Sequence, residues 1–516
     1  LSGNKSVGLN EILANIKKAK EDKNITGIYL NISYIPAGIS TIEEIRNALI
    51  DFRSSGKFVL THAEALTQGA YYLASASDSV FLNPGGIIEW VGIRSQSPFF
   101  KNTLQKLDIK ATVIRYGKFK SAAEQLTEKG YSDENREQLN KLITSVWDHI
   151  CMKVGEQREI PATRLKEIAD NVLINTASSA RELNIVDALL YESDVFEILK
   201  VKAGLNSDDD LRVVSLNDYS RVPAAKKVKG VAREKIAIIY ALGNIIDGES
   251  NEQAIESEKF ARAIRKARKD STIKAIVLRV NSPGGSALAS DIIWHELDRA
   301  RKVKPLVVSM GDVAASGGYY ISCMADTILA QPYTITGSIG VIGMHLNLAG
   351  MFNKIGVTFD VEKTGKYSDL LSATRPVTEF EISYVQNIMD SIYVTFVNRV
   401  DSGRLLNFSQ IDAIGQGRIW SGTDALELGL IDRIGGLDDA VEIAKRMAGL
   451  DDRYRIVELP EQEDPFVMLM KSLSGEVTHK AIRRELGPYS EYYNSLQNIF
   501  NHQGILTRLP YDITIY

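Results

Sequence analysis

The sequence predicts an α/β protein made of two homologous halves, each carrying parallel-sheet βαβ units. Three observations lead there: the chain has 516 residues, β-branched runs alternate with helical patterns, and the chain repeats itself. A length of this order exceeds one ordinary core, so at least two domains are expected. Asn24–Ile32 (NITGIYLNI) resembles Thr272–Val280 (TIKAIVLRV) at an offset of 272 − 24 = 248 positions. Gln68–Asp78 (QGAYYLASASD) resembles Ser316–Asp326 (SGGYYISCMAD) at the same offset of 248. The register holds through Pro84 and Pro332 to Gly117-Lys118-Phe119 and Gly365-Lys366-Tyr367. Ala180–Asp187 (ARELNIVD) answers Ala425–Asp432 (ALELGLID), now at an offset of 245. Self-similarity on this scale marks a duplicated domain.

Taken in order, the repeat implies an N-terminal unit over 1–207, a linker over 208–234, a C-terminal unit over 235–450 and a tail over 451–516. The linker is polar and basic, with Lys226, Lys227, Lys229 and Arg233 close together, and reads as a solvated connection. The C-terminal unit opens on an apolar strand, Lys235–Ala241, for which the first half has no counterpart. Ala275–Val280 follows as a buried strand, Ala289–Arg301 has helical apolar spacing, Pro305–Met310 is a strand, and Gly318–Ala325 starts another helix. Strand–helix–strand order at this pitch implies right-handed βαβ units and a parallel sheet. The tail holds an amphipathic stretch near Phe466–Leu473 to which the sequence assigns no role.

Composition narrows the function. Apolar residues make up 44% and charged residues 24% of the chain, the profile of a folded α/β protein. Lysine plus arginine number 61 against 65 acidic residues, a formal charge of −4, so there is no electrostatic case for nucleic-acid binding. Cys151 and Cys323 are too few for a disulfide framework and read as small core residues. His62, His149, His295, His345, His479 and His502 are scattered, which makes a zinc site improbable, and no cofactor is expected. No uncharged apolar run reaches the roughly 18 residues a membrane span needs. The chain opens on Leu1 rather than methionine, so a signal peptide or membrane anchor is expected upstream.

Two glycine-rich turns follow strands in the second half, Asn281-Ser282-Pro283-Gly284-Gly285 and Val313-Ala314-Ala315-Ser316-Gly317-Gly318. Neither matches a phosphate loop. Serine before two glycines at a strand-to-helix turn suits a nucleophile, because glycine allows a sharp turn and close substrate approach. The helix start then offers N–H groups to a developing oxyanion. From this turn alone, however, a plain N-cap serine is the commoner explanation, and Pro-Gly-Gly is more often a plain tight turn. The repeat changes the balance. Gln68 stands where Ser316 would be, and Pro36-Ala37-Gly38 replaces the Pro-Gly-Gly. Conversely, Lys120 follows Gly117-Lys118-Phe119, whereas Ser368 takes that place in the second half. Each half holds one member of a serine–lysine pair and lacks the other, the pattern of one composite site.

These segments, Asn281–Gly285, Gly311–Ser322 (GDVAASGGYYIS), Thr336–Val341 (TGSIGV) and Gly117–Ala122 (GKFKSA), together resemble the bacterial signal peptide peptidase A family in its long tandem-domain form. The resemblance covers about residues 1–450. It implies two tandem Clp protease/crotonase-like domains, a nucleophile at Ser316, a general base at Lys120, and a second hydroxyl at Ser338 that orients the lysine. Trp90 holds that last place in the first half. The lysine must be neutral to act, so burial has to lower its pKa from about 10.4. Gly317, with Gly284 or Gly285, would hold the oxyanion. The resemblance further implies cleaved signal peptides as substrates, a homotetramer, and attachment to the bacterial inner membrane with the catalytic part on the periplasmic side. Three other readings remain open: a Clp-type peptidase with His345 as base, a crotonase-like acyl-coenzyme A hydratase, and a non-catalytic membrane-associated scaffold.

Overall fold

The computed structural model describes residues 7–223, 233–248, 254–460 and 504–508. In the first half the strands are β1 (Gly27–Asn31), β2 (Phe58–Leu66), β3 (Ser79–Ile88), β4 (Lys110–Tyr116) and β5 (Ala188–Leu189). The second half contributes β6 (Glu234–Leu242), β7 (Asn244–Ile246), β8 (Ala254–Glu256), β9 (Ile273–Ser282), β10 (Gly284–Ser286), β11 (Leu306–Ala315), β12 (Thr327–Ala330), β13 (Ile335–Gly337), β14 (Val341–Asn347), β15 (Ile419–Trp420) and β16 (Arg433–Ile434). Residues beyond Leu450 supply β17 (Tyr454–Leu459) and β18 (Gly504–Arg508). The stretch Phe466–Leu473 and the lysines of the linker lie outside the described residues.

Among the described residues these strands form three sheets. The first half owns a parallel sheet in the order β1-β2-β3-β5. The second half builds β15-β13-β11-β9-β6-β17, parallel except where β13 meets β15. Strands β6, β9 and β11 are near-continuous apolar runs because helices cover both of their faces. At the offset of the repeat, β2 matches β11, and helix Ile39–Arg53 matches helix Ala287–Arg301. The β2–β3 ladder loses register between Ala63 and Ala65, and the β11–β9 ladder between Met310 and Ala314. The α/β class, the duplication and the parallel βαβ units expected from the sequence are therefore all present.

The third sheet, β4-β14-β18-β10-β7-β8, belongs to both halves. Antiparallel pairing of β4 with β14 runs from Tyr116 opposite Val341 to Lys110 opposite Asn347. Each of these strands exists in one half alone: the positions equivalent to β4 (358–364) and to β14 (93–99) form no strand. The halves are joined elsewhere as well. Asp312 accepts hydrogen bonds from Ser40 N (3.0 Å) and Thr41 Oγ1 (2.8 Å), capping helix Ile39–Arg53. A buried Arg279–Glu44 pair closes at 2.6 Å, with Glu44 also accepting from Leu437 N at 2.7 Å. Tyr333, Ile335 and Ile419 of the second half pack into the first half's core, and Ile114 and Tyr116 of the first half pack against the second half's.

Two local expectations change. The helix expected over Gly318–Ala325 spans only Gly317–Tyr320, because Ser322 Oγ and Cys323 Sγ turn back to the carbonyls of Gly318 and Tyr320. The linker is solvated over most of 208–216 but docks at Tyr219: Leu216–Tyr219 is helical, and Lys18 Nζ donates to Tyr219 O at 2.6 Å. Both cysteines are free and buried.

Candidate active site

Strand β11 ends at Ala315, and the next residue reverses the chain. Ser316 has φ 55° and ψ −114°, outside the regions favoured for residues with a Cβ. Strain of this kind costs on the order of 1–3 kcal/mol and persists only where the surroundings enforce it. Here they do: Ser316 N donates to Gly337 O at 2.8 Å, and Tyr320 N donates to Ser316 O at 2.8 Å. The hydroxyl makes no N-cap bond, so the capping explanation for this serine does not hold. Ser338 also has a positive φ of 53° and is pinned by its N–H to Arg418 O at 2.7 Å.

Lys120 arrives from the other half, on the turn after β4. Lys120 N donates to Gly117 O (3.2 Å) and Phe119 N to Gln416 O (2.9 Å), so a second-half loop grips the turn. Gly417 in that loop has φ +80°, and a Cβ there would lie 2.6 Å from Lys120 Cβ. Only glycine permits so close an approach. Lys120 and Ser316 are both fully buried. Lys120 Nζ lies 2.7 Å from Ser316 Oγ, 3.0 Å from Ser338 Oγ and 3.1 Å from Ser338 O. Burial holds the Lys120 ammonium well below its usual pKa, and no carboxylate among the described residues compensates it. A neutral amine has two N–H donors and one lone pair. The two Ser338 oxygens match the donors, and the Ser316 hydroxyl matches the lone pair.

The glycines converge on the same spot. Gly284 has φ +97°, and its missing Cβ would sit 2.6 Å from Gly317 N. Gly284 N–H itself faces Ser282 Oγ at 3.2 Å. Strand β18 lies against this turn, with Gly285 opposite Thr507, and fills the slot between β10 and β14. The sequence offers no means of seeing this partner, which comes from the far end of the chain. Nor does it single out the loop Gly415-Gln416-Gly417, where two glycines around one residue are the available signal.

The first half shows how the equivalent place is closed. Gln68 accepts from Val91 N (3.2 Å) and Gly92 N (3.1 Å), filling the turn with an amide. Trp90 is buried and donates to Leu165 O at 3.0 Å. Ser368, at the position matching Lys120, is exposed and accepts from Gly365 N at 3.1 Å. His345 lies on β14 opposite Thr112, where burial lowers its pKa and the Ser372 backbone, Glu381 and Arg375 act on it. Among the described residues no group of three or more His, Cys, Asp or Glu side chains could hold a metal ion.

Comparison with known proteins agrees with the duplication. Residues 51–206 and 298–451 each match Peptidase family S49. Protease 4 of Haemophilus influenzae is 32% identical over 510 residues, covering 96% of this chain and 82% of that protein. The chloroplastic serine protease SPPA of Arabidopsis thaliana is 34% identical over 481 residues, covering 92% and 70%. An Enterococcus faecium protein whose name makes it a candidate signal peptide peptidase SppA is 37% identical over 229 residues, covering 43% and 67%.

Proposed function

Because the chain belongs to peptidase family S49 and is a serine peptidase, we propose that Ser316 is its nucleophile and Lys120 its general base. The observation that carries this reading is the 2.7 Å contact between Lys120 Nζ and Ser316 Oγ inside a fully buried site. Neutral Lys120 takes the Ser316 proton as Oγ attacks the peptide carbonyl carbon. The oxyanion is held by the N–H of Gly317 together with that of Gly284 or Gly285. Collapse breaks the C–N bond, and the leaving amine takes its proton from Lys120. Lys120 then deprotonates the water that hydrolyses the acyl-enzyme. Ser338 keeps the amine aimed by occupying its two N–H groups.

The slot between β10 and β14 supports an extended peptide as substrate, since both edges offer backbone pairing to a strand laid between them. We propose cleaved signal peptides and other unfolded apolar peptides as its substrates. The name of the Enterococcus faecium relative points to the same substrate class. We further propose that the enzyme works at the bacterial inner membrane, active on the periplasmic side, as a homotetramer. Among the described residues no helix is long and apolar enough to cross a membrane. Exposed Ile355, Val357, Phe359 and Val361 support assembly, since a run of apolar side chains at the surface suits an interface. A monomer by light scattering would contradict the tetramer.

The deciding assay follows cleavage of an unfolded signal-peptide-like substrate by wild type, Ser316→Ala and Lys120→Ala, each checked for folding. Both variants are expected to lose at least about a thousandfold in kcat, as removal of either member of such a pair does. An active Lys120→Ala enzyme would remove the lysine from the mechanism.

A further inference from the structure

We infer that Gln138 is a positioning residue for the catalytic base, clamping the Lys120 turn of the first half onto strand β15 beside Ser338 in the second. The inference rests on the reading of Lys120 as base. Gln138 sits on helix Asp133–Arg158, is 1% exposed, and touches neither reacting side chain. Its Nε2 has Phe119 O at 3.2 Å and Ser121 Oγ at 3.1 Å, the residues on either side of Lys120, as well as Asn135 Oδ1 at 3.1 Å. Its Oε1 accepts from Ile419 N at 3.2 Å, 281 positions away in the other half.

Ile419 is no arbitrary anchor. It pairs with Gly337 in the β13–β15 ladder, and its neighbour Arg418 accepts the Ser338 N–H at 2.7 Å. One planar amide therefore spans from the backbone beside the base to the backbone beside the hydroxyl that orients it. An amide has both a donor and an acceptor end at fixed separation, which suits a residue bridging two segments with opposite needs. The charged groups nearby are already engaged. Glu124 is held by Ser132 Oγ (2.5 Å) and Asn135 Nδ2 (2.9 Å) and lies 3.8 Å from Arg115, and Arg418 pairs with Glu137 at 2.7 Å. The position and dryness of Lys120 thus depend on the clamp rather than on a counter-ion.

The test compares full-length wild type, Gln138→Met and Gln138→Asn, normalised to folded protein. Met keeps the volume and loses every hydrogen bond; Asn keeps the amide but is one carbon too short to span both anchors. For each, kcat, KM and the pH profile of kcat/KM are measured. Loosening the turn admits water to Lys120, so the acid limb should move to higher pH by roughly one unit, with kcat down about 10- to 100-fold and KM within about threefold. A merely structural role would lower Tm and leave the profile unmoved. Profiles of both variants superimposing on wild type would overturn the inference; if Gln138→Met does not fold, Gln138→Asn decides alone. Failure of the dyad itself reads differently, as a Lys120→Ala enzyme that retains activity.

Discussion

At the scale of single residues, the cost of the site is concentrated in one side chain. Lys120 is buried with hydroxyls and a carbonyl for company, so the folded state disfavours its charged form. The unfolded chain binds the proton up to about pH 10.5, and the folded chain releases it at much lower pH. Between those limits folding must expel a proton, at about 1.4 kcal/mol for each pH unit. Stability should therefore rise as pH climbs toward the unfolded value. Lys120→Met should raise Tm at pH 7, and the gain should shrink toward pH 10.5, as thermal melts across that range would register. Activity follows the same proton in the same direction. In the wild type, kcat/KM should increase with pH through the lowered pKa, while Lys120→Arg, which stays protonated, should be inactive throughout.

At the scale of elements, the sheet shared by both halves does the assembling. Strand β4 carries the chain into the Gly117 turn and so to Lys120, and β14 begins at Val341, just beyond Ser338. Seven paired positions between them fix where one residue lies relative to the other. On the far side of β14, β18 occupies the edge that a peptide would use. Removing residues 504–516 should free that edge, lowering KM for an unfolded peptide several-fold with kcat little changed. Steady-state kinetics of the shortened chain measure this directly, and an unchanged or higher KM would show that β18 does not compete with substrate.

At the scale of the whole molecule, the two halves are packed into each other. Their cores interlock through Tyr333, Ile335 and Ile419, and buried polar links such as Arg279–Glu44 leave charges uncompensated if the halves part. A protease cut introduced within residues 224–232 should therefore leave the two fragments co-migrating in size-exclusion chromatography with peptidase activity within about twofold of the intact chain. Separation into inactive fragments would mean the covalent linker holds the site together.

Much of this organisation is legible in the residues alone. The constant register between the halves reveals the duplication, and the exchange of Ser316 for Gln68 and Lys120 for Ser368 leaves each half with one member of the proposed pair. Those are statements about residue type along the chain, and type is what a sequence carries. It does not say that β4 and β14 pair, because each lacks a counterpart in the other half and their contact spans more than two hundred positions. Nor does it reveal Gln138, whose role depends on a backbone N–H in the opposite half, or the strand at 504–508. Residue type and order are enough for the fold class and the duplication, and they single out the two residues proposed as the reactive pair. How far apart those groups lie, how dry the lysine is and what holds it there are settled by packing, because distance and desolvation arise only once remote segments come together.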